Sequence, residues 1–92
     1  MNKSDLIQAL AERAGITHDE ATMTVETFFE AVRDAMLRGD RVELRGFGSF
    51  KIKHYDGYTG RNPKTGEPVE VRPKRLPFFK AGKGLVDAVN DR

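Results

Sequence analysis

The chain has 92 residues, no cysteine, and a formal net charge of +2. One domain is the natural expectation at this length, and such a chain buries only about 60–65% of its surface alone. The missing cysteines exclude a disulfide framework, thiolate metal sites and cysteine nucleophiles. The small net charge hides an asymmetry. Residues 1–40 hold four Lys and Arg against eight Asp and Glu, net −4, while residues 41–92 hold twelve against six, net +6. The second part therefore suits a polyanion, with a solvated basic surface as the bland alternative. Neither a signal peptide nor a membrane-crossing run is read in the sequence, so a cytoplasmic setting is expected.

Residues 3–14 are predicted as a short amphipathic helix. Leu6, Ile7, Leu10 and Ala14 share one face, Asn2 is placed to cap the start, and Gly15 is a stop. A second helix is predicted from Thr17, where Thr17-His18-Asp19-Glu20 fits a capping box. Ala21, Val25, Phe28, Phe29, Val32 and Met36 form its apolar stripe, and Gly39 ends it. The paired Phe28 and Phe29 exceed what the first helix can cover. Either a second chain supplies the cover, or both rings belong to the chain's own core.

From Arg41 the period becomes two. Val42 and Leu44, then Phe50 and Ile52 beyond Gly46-Phe47-Gly48, alternate with polar residues, which predicts a hairpin with one apolar and one basic face. His54 falls in phase with the apolar face. Residues 55–75 are poor in large apolar side chains and rich in Gly and Pro. A structureless loop of that length is unusual in a small domain. Alternation at Val69-Glu70-Val71-Arg72 and the turn-like centre Asn62-Pro63-Lys64-Thr65-Gly66 instead predict a projecting two-stranded ribbon folded at Pro63. The chain returns through Leu76, Phe78 and Phe79. A last helix is expected over about 82–90, with Leu85, Val86 and Val89 inward.

No arrangement places a nucleophile, a base and an orienting acid together, and His18 and His54 show no metal-ligand spacing. An enzyme is not expected, nor any cofactor, metal or small-molecule substrate. Gly46-Phe47-Gly48 lies between strands, so it lacks the strand-to-helix context of a phosphate-binding glycine loop. The ribbon tip is different. Arg61 and Lys64 attract phosphate, Asn62 and Thr65 can hydrogen-bond in a groove, and Pro63 is a rigid apolar wedge. The bland alternative is that Pro63 only shapes a turn.

Across almost its whole length the sequence resembles the HU and integration host factor family of bacterial DNA-bending proteins. The resemblance runs through Met1-Asn2-Lys3-Ser4-Asp5-Leu6-Ile7, Arg45-Gly46-Phe47-Gly48-Ser49-Phe50, Pro77-Phe78-Phe79-Lys80-Ala81-Gly82-Lys83 and Asp87-Ala88-Val89-Asn90. The most specific segment is Gly60-Arg61-Asn62-Pro63-Lys64-Thr65-Gly66. The resemblance implies an α+β fold and an intertwined dimer, with a helical base, a β-sheet saddle and long β-ribbon arms. Within a single 1–92 domain it divides the chain into a helical dimerisation part (1–40), saddle strands (41–54 and 74–80), an arm (55–73) and a C-terminal helix (82–90). It implies a nucleoid-associated, histone-like architectural protein that binds double-stranded DNA in the minor groove. Bending by partial intercalation of Pro63 is the family's known mode and is not read from spacing.

The residues so implicated in DNA binding are Lys3, Arg45, Ser49, Lys51, Lys53, Tyr55, Tyr58, Arg61, Asn62, Pro63, Lys64, Thr65, Arg72, Lys74, Arg75, Lys80 and Lys83. Phe28, Phe29, Val32, Phe47, Phe50 and Phe79 are the implied dimer core. The partner chain is either identical or a related subunit. The processes implied are DNA condensation, recombination and transcription regulation.

Two departures stand out. Tyr55 and Tyr58 occupy arm positions often basic in the family, with Asp56 between them, and Glu67 and Glu70 add negative charge, which predicts a shallower salt dependence of binding than in a more basic relative. Glu43-Leu44-Arg45 leans toward the β-type subunit of integration host factor, where the matching pair helps to recognise a preferred sequence. Alternatively, Arg45 binds phosphate and Glu43 orients it. Two other functions compete. Tyr55, Tyr58 and the basic strands suit a module for RNA or other single-stranded nucleic acid. The acidic second helix suits a protein-interaction module, which leaves the ribbon tip unexplained.

Overall fold

The computed structural model describes residues 1–91 and has mixed α and β architecture. Two helices form a base: α1 (Lys3–Ala14) and α2 (His18–Leu37). Both begin with capping boxes. The Asn2 side chain accepts from the Asp5 N–H at 2.9 Å, and the Asp5 carboxylate accepts from the Asn2 N–H at 3.0 Å. Thr17 and Glu20 reciprocate in the same way at 3.1 and 3.0 Å. These bonds satisfy donors that the first helical turn leaves open. At the far end of α2, the N–H of Gly39 donates to Met36 and that of Asp40 to Ala35. This closes the helix by the two-bond pattern that needs a left-handed residue, and Gly39 has φ 84°.

Strands β1 (Val42–Leu44), β2 (Gly48–Tyr55) and β5 (Lys74–Ala81) make an antiparallel sheet in the order β1-β2-β5. Strands β3 (Tyr58–Arg61) and β4 (Pro68–Val71) pair with each other in a second, two-stranded sheet. The expected ribbon is therefore present, but it is interrupted at its root. Pro73 lacks an N–H to continue the ladder. Diagonally across from it, a Cβ on Gly57 would lie 2.8 Å from both Pro73 Cδ and the Val71 carbonyl. Tyr55 pairs with Lys74 and so belongs to the larger sheet, not to the arm where the sequence division put it. Helix α3 (Lys83–Asn90) follows β5 from its cap at Gly82.

The core is small. Ile7, Ala21 and Val25 are buried, with Leu6, Leu10, Ala11 and Ile16 packed around them. Val32 is the one further buried apolar side chain among the described residues. A compact chain of this length has a radius of gyration of about 12 Å; the value here is 19.3 Å, with a long axis of 61 Å. The molecule is thus an arm and an open sheet attached to half a core. Phe28, Phe29 and Phe47 are 43%, 48% and 49% exposed. Helix α3 buries no residue, so the inward placement expected for Leu85, Val86 and Val89 is not met within one chain. His54 is also exposed. It shares a face with Phe50 and Ile52, as its phase predicts, but it lies at the arm end of the sheet opposite Arg75. There the chain provides no cover.

Candidate nucleic-acid interface

The register sorts side chains onto the two faces of the larger sheet. Cross-strand partners share a face and neighbours along a strand alternate. Phe50 opposite Phe79, Ile52 opposite Pro77 and Val42 opposite Phe50 lie on the face toward the helices. The Phe79 ring packs against Phe50 at 4.9 Å and Phe47 at 5.6 Å between centroids. The opposite face carries Ser49 paired with Lys80, Lys51 with Phe78, Lys53 with Leu76, and Tyr55 with Lys74. Four lysines therefore share one outward surface. The ammonium of Lys53 sits 3.7 Å from the Phe78 ring centroid, with Lys51 at 5.9 Å and Lys74 5.8 Å from the Tyr55 ring. Phe78 thus gathers two cations from a neighbouring strand. Period two in the sequence separates Phe78 from Phe79, and that signal would have placed Phe78 among the lysines.

The same alternation divides Lys74 from Arg75. Lys74 joins the basic face. Arg75 lies on the other face, where it lines a hollow with Arg33, Met36, Leu37, Ile52 and Pro77. Arg45 is exposed in the turn between β1 and β2, and Arg72 is exposed between β4 and β5. Lys3 pairs with Glu26 at 3.1 Å and Lys83 with Asp87 at 3.4 Å. Both pairs are exposed, so exchanging the carboxylate for a phosphate costs about 1 kcal/mol or less. Glu43 pairs with Arg41 at 3.2 Å, not with Arg45. Without DNA, the cation beside Glu43 is Arg41, which precedes β1, whereas Arg45 has already entered the turn after it.

The arm carries Tyr58, Arg61 and, at its tip, a closed turn over Asn62–Glu67. The N–H of Asn62 donates to Glu67 at 2.9 Å, and that of Gly66 donates to the Asn62 carbonyl at 2.7 Å. Gly66 has φ 72°, a left-handed conformation that glycine adopts without penalty. Pro63, Lys64 and Thr65 are exposed at the apex, while Asn62 is half-buried. Among the described residues no group of His, Asp and Glu is placed to hold a metal ion, and no helix is long and apolar enough to cross a membrane.

A family model described as "Bacterial DNA-binding protein" matches residues 1–90. The chain belongs to that family. It is 44% identical over 89 residues to the DNA-binding protein HU of Geobacillus stearothermophilus, covering 97% of this chain and 99% of the relative. The HU of Staphylococcus aureus strain COL matches to the same extent. Among solved structures, the Anabaena HU–DNA cocrystal structure superposes over the full length of both chains with a TM-score of 0.87 and 39% identity. HU from Thermotoga maritima superposes with a TM-score of 0.70 and 28% identity, over 97% of this chain and 98% of the other. Membership of the family agrees with the resemblance seen in the sequence, and the similar solved structures share the helical base, sheet and extended arm as one fold.

Proposed function

We propose that two copies of this chain, or this chain and a related subunit, form an HU-type architectural protein that binds double-stranded DNA and bends it. The observation that carries the proposal is the continuity of one basic surface. Lys51, Lys53, Lys74 and Lys80 on the outer sheet face lead through Tyr55 into an arm that ends in exposed Pro63. Behind that surface the aromatic side chains Phe28, Phe29, Phe47 and Phe79 are left open to solvent. A second chain covers them, with Phe50 at the edge of the same cluster and α3 alongside. Val32 is already covered within one chain and serves as its floor.

In this arrangement residues 1–40 build the dimer base, the larger sheet forms the saddle, and each arm follows the minor groove. Lys3, Ser49, Lys51, Lys53, Tyr55, Lys74, Lys80 and Lys83 contact phosphate from the body; Tyr58, Arg61, Lys64, Thr65 and Arg72 do so along the arm. Pro63 enters a base step and partly unstacks it. Arg75, facing the helices, takes a structural place beside the hollow it lines. Arg45 approaches DNA from the β1–β2 turn. A sequence preference of the integration-host-factor β kind rests on Glu43 and Arg45, with Arg41 as the group that holds Glu43. Comparing affinity for a preferred site selected from random duplexes with that for a scrambled duplex tests it, and equal affinities remove it. Work on nucleoid DNA, in compaction, recombination or transcription, follows from the same activity.

Smoothly bending 20–30 base pairs costs roughly 1–6 kcal/mol, which a nick or gap lowers. Tighter binding to a nicked duplex than to an intact one of the same sequence is therefore expected at fixed salt. Equal affinities contradict bending. One observation favours a second function: Tyr55 stands among lysines on a sheet face, as stacking residues do in single-strand binders. Competition between duplex DNA and single-stranded RNA separates the two, with the duplex expected to win.

A further inference from the structure

The arm tip is folded before it meets any partner. Asn62 is at the centre of that fold. Its N–H donates to the Glu67 carbonyl at 2.9 Å, its own carbonyl accepts from Gly66 at 2.7 Å, and its side-chain Oδ1 accepts from the Lys64 N–H at 2.9 Å. Arg61 Nη1 donates to the Gly66 carbonyl at 3.3 Å, and the Glu67 N–H donates to Thr65 Oγ1 at 3.3 Å. Every residue from Arg61 to Glu67 is exposed except Asn62. The bond from Asn62 Oδ1 to Lys64 spans Pro63. The proline ring already fixes φ at that residue, and the spanning bond restrains ψ, so the wedge keeps its local shape even where the ribbon that carries it moves.

We infer that Asn62 is a positioning residue that acts through Pro63, holding it as a rigid wedge, and that its side chain does not read DNA. The inference rests on the DNA-bending function proposed above and divides the tip: Pro63 and Lys64 meet the groove with Arg61 and Thr65 on the flanking phosphates, while the half-buried Asn62 builds the turn. A wedge ordered in advance gives up little entropy on binding, and that saving goes into distortion of the duplex.

Ligase-catalysed ring closure of a DNA fragment of about 120 base pairs, shorter than one persistence length of about 150, reads bending directly. The protein is used at saturation, so that affinity drops out, and each variant's helical content is checked by circular dichroism. Asn62→Ala is expected to lose ring closure as far as Pro63→Ala does. Asn62→Ser, whose hydroxyl can accept the same Lys64 N–H, is expected to recover most of it. The double variant Asn62→Ala/Pro63→Ala is expected to be no worse than Pro63→Ala alone. Wild-type ring closure by Asn62→Ala beside a defective Pro63→Ala overturns the positioning role and leaves DNA bending intact. Failure of Asn62→Ser as complete as that of Asn62→Ala, or a double variant clearly worse than either single one, also overturns it, because the amide then contacts DNA itself. Normal ring closure by Pro63→Ala removes the wedge, and the role of Asn62 with it.

Discussion

At the scale of single residues, the strongest local choices are the two capping boxes. The N-terminal halves of both helices were legible because a capping side chain and its partner three residues on need only local backbone to meet. Thr17→Ala is expected to destabilise the protein by about 1 kcal/mol, within a range of 0.5–2, read from denaturant midpoints. Hydrogen bonds from the Thr17 backbone N–H, and then from its side chain, hold the Glu20 carboxyl below its ordinary value. A lowered folded pKa means that this contribution is fully present above the unfolded value and is lost as pH falls through the folded one. Glu20→Gln should therefore flatten the acid limb of the melting curve below the ordinary glutamate range. A wild-type acid limb in that variant contradicts the assignment.

Basic residues were harder to place from sequence. Lys74 and Arg75 are adjacent, carry the same charge and look alike in a list of residues. Only the register with Tyr55 and His54 puts one on the outer face and the other toward the helices. Phe78 has the opposite history, an apolar residue that belongs to the basic surface through Lys53 and Lys51. Lys53→Gln is expected to reduce the log–log salt slope of duplex binding by about one, while Arg75→Gln leaves the slope unchanged. Equal effects of the two substitutions contradict the division of faces.

At the scale of elements, the arm is separated from the saddle by a break of residues rather than by length. Pro73 stops the ladder, and Gly57 admits the close approach of that segment from the other strand. The sequence made the ribbon readable, since turn residues and alternation recur within it. It did not show where the sheet ends and the arm begins, because both strands run on through the break with similar composition. Two strands with no core of their own are marginal in water. Amide hydrogens of 58–61 and 69–71 are expected to exchange quickly in the free protein and to slow on adding duplex. Those of β2 should be slow in both. Slow exchange throughout the free arm contradicts the mobile ribbon. Asp56, Glu67 and Glu70 belong to the same account: they leave the arm with fewer net cations, and the salt slope of the whole protein should be shallower than that of a more basic relative.

At the scale of the whole molecule, the open aromatic face and the extended shape have one cause: the core of a single chain stops at Ile7, Ala21, Val25 and Val32. The sequence hinted at this through Phe28-Phe29 but left the alternative of a self-contained core, because apolar periodicity does not say which chain covers a stripe. The two rings lie 5.4 Å apart edge to face and remain nearly half exposed. If a second chain completes the core, folding and association are one equilibrium. The melting temperature should rise with protein concentration, and light scattering should give twice the chain mass of 10.3 kDa. Phe47→Ala should lower the melting temperature and steepen its concentration dependence. A melting temperature independent of concentration, with a monomeric mass, contradicts a core shared between two copies and leaves the related subunit as the partner.

The central claim is that the assembled protein bends double-stranded DNA. Energy transfer between dyes at the two ends of a duplex of about 30 base pairs, titrated with the wild-type protein and with Pro63→Ala, tests it most directly. The account predicts that the wild-type protein draws the ends together with a stoichiometry of two chains per duplex, and that Pro63→Ala binds but draws them together less. Saturable binding by the wild-type protein with no change in end-to-end distance would contradict it.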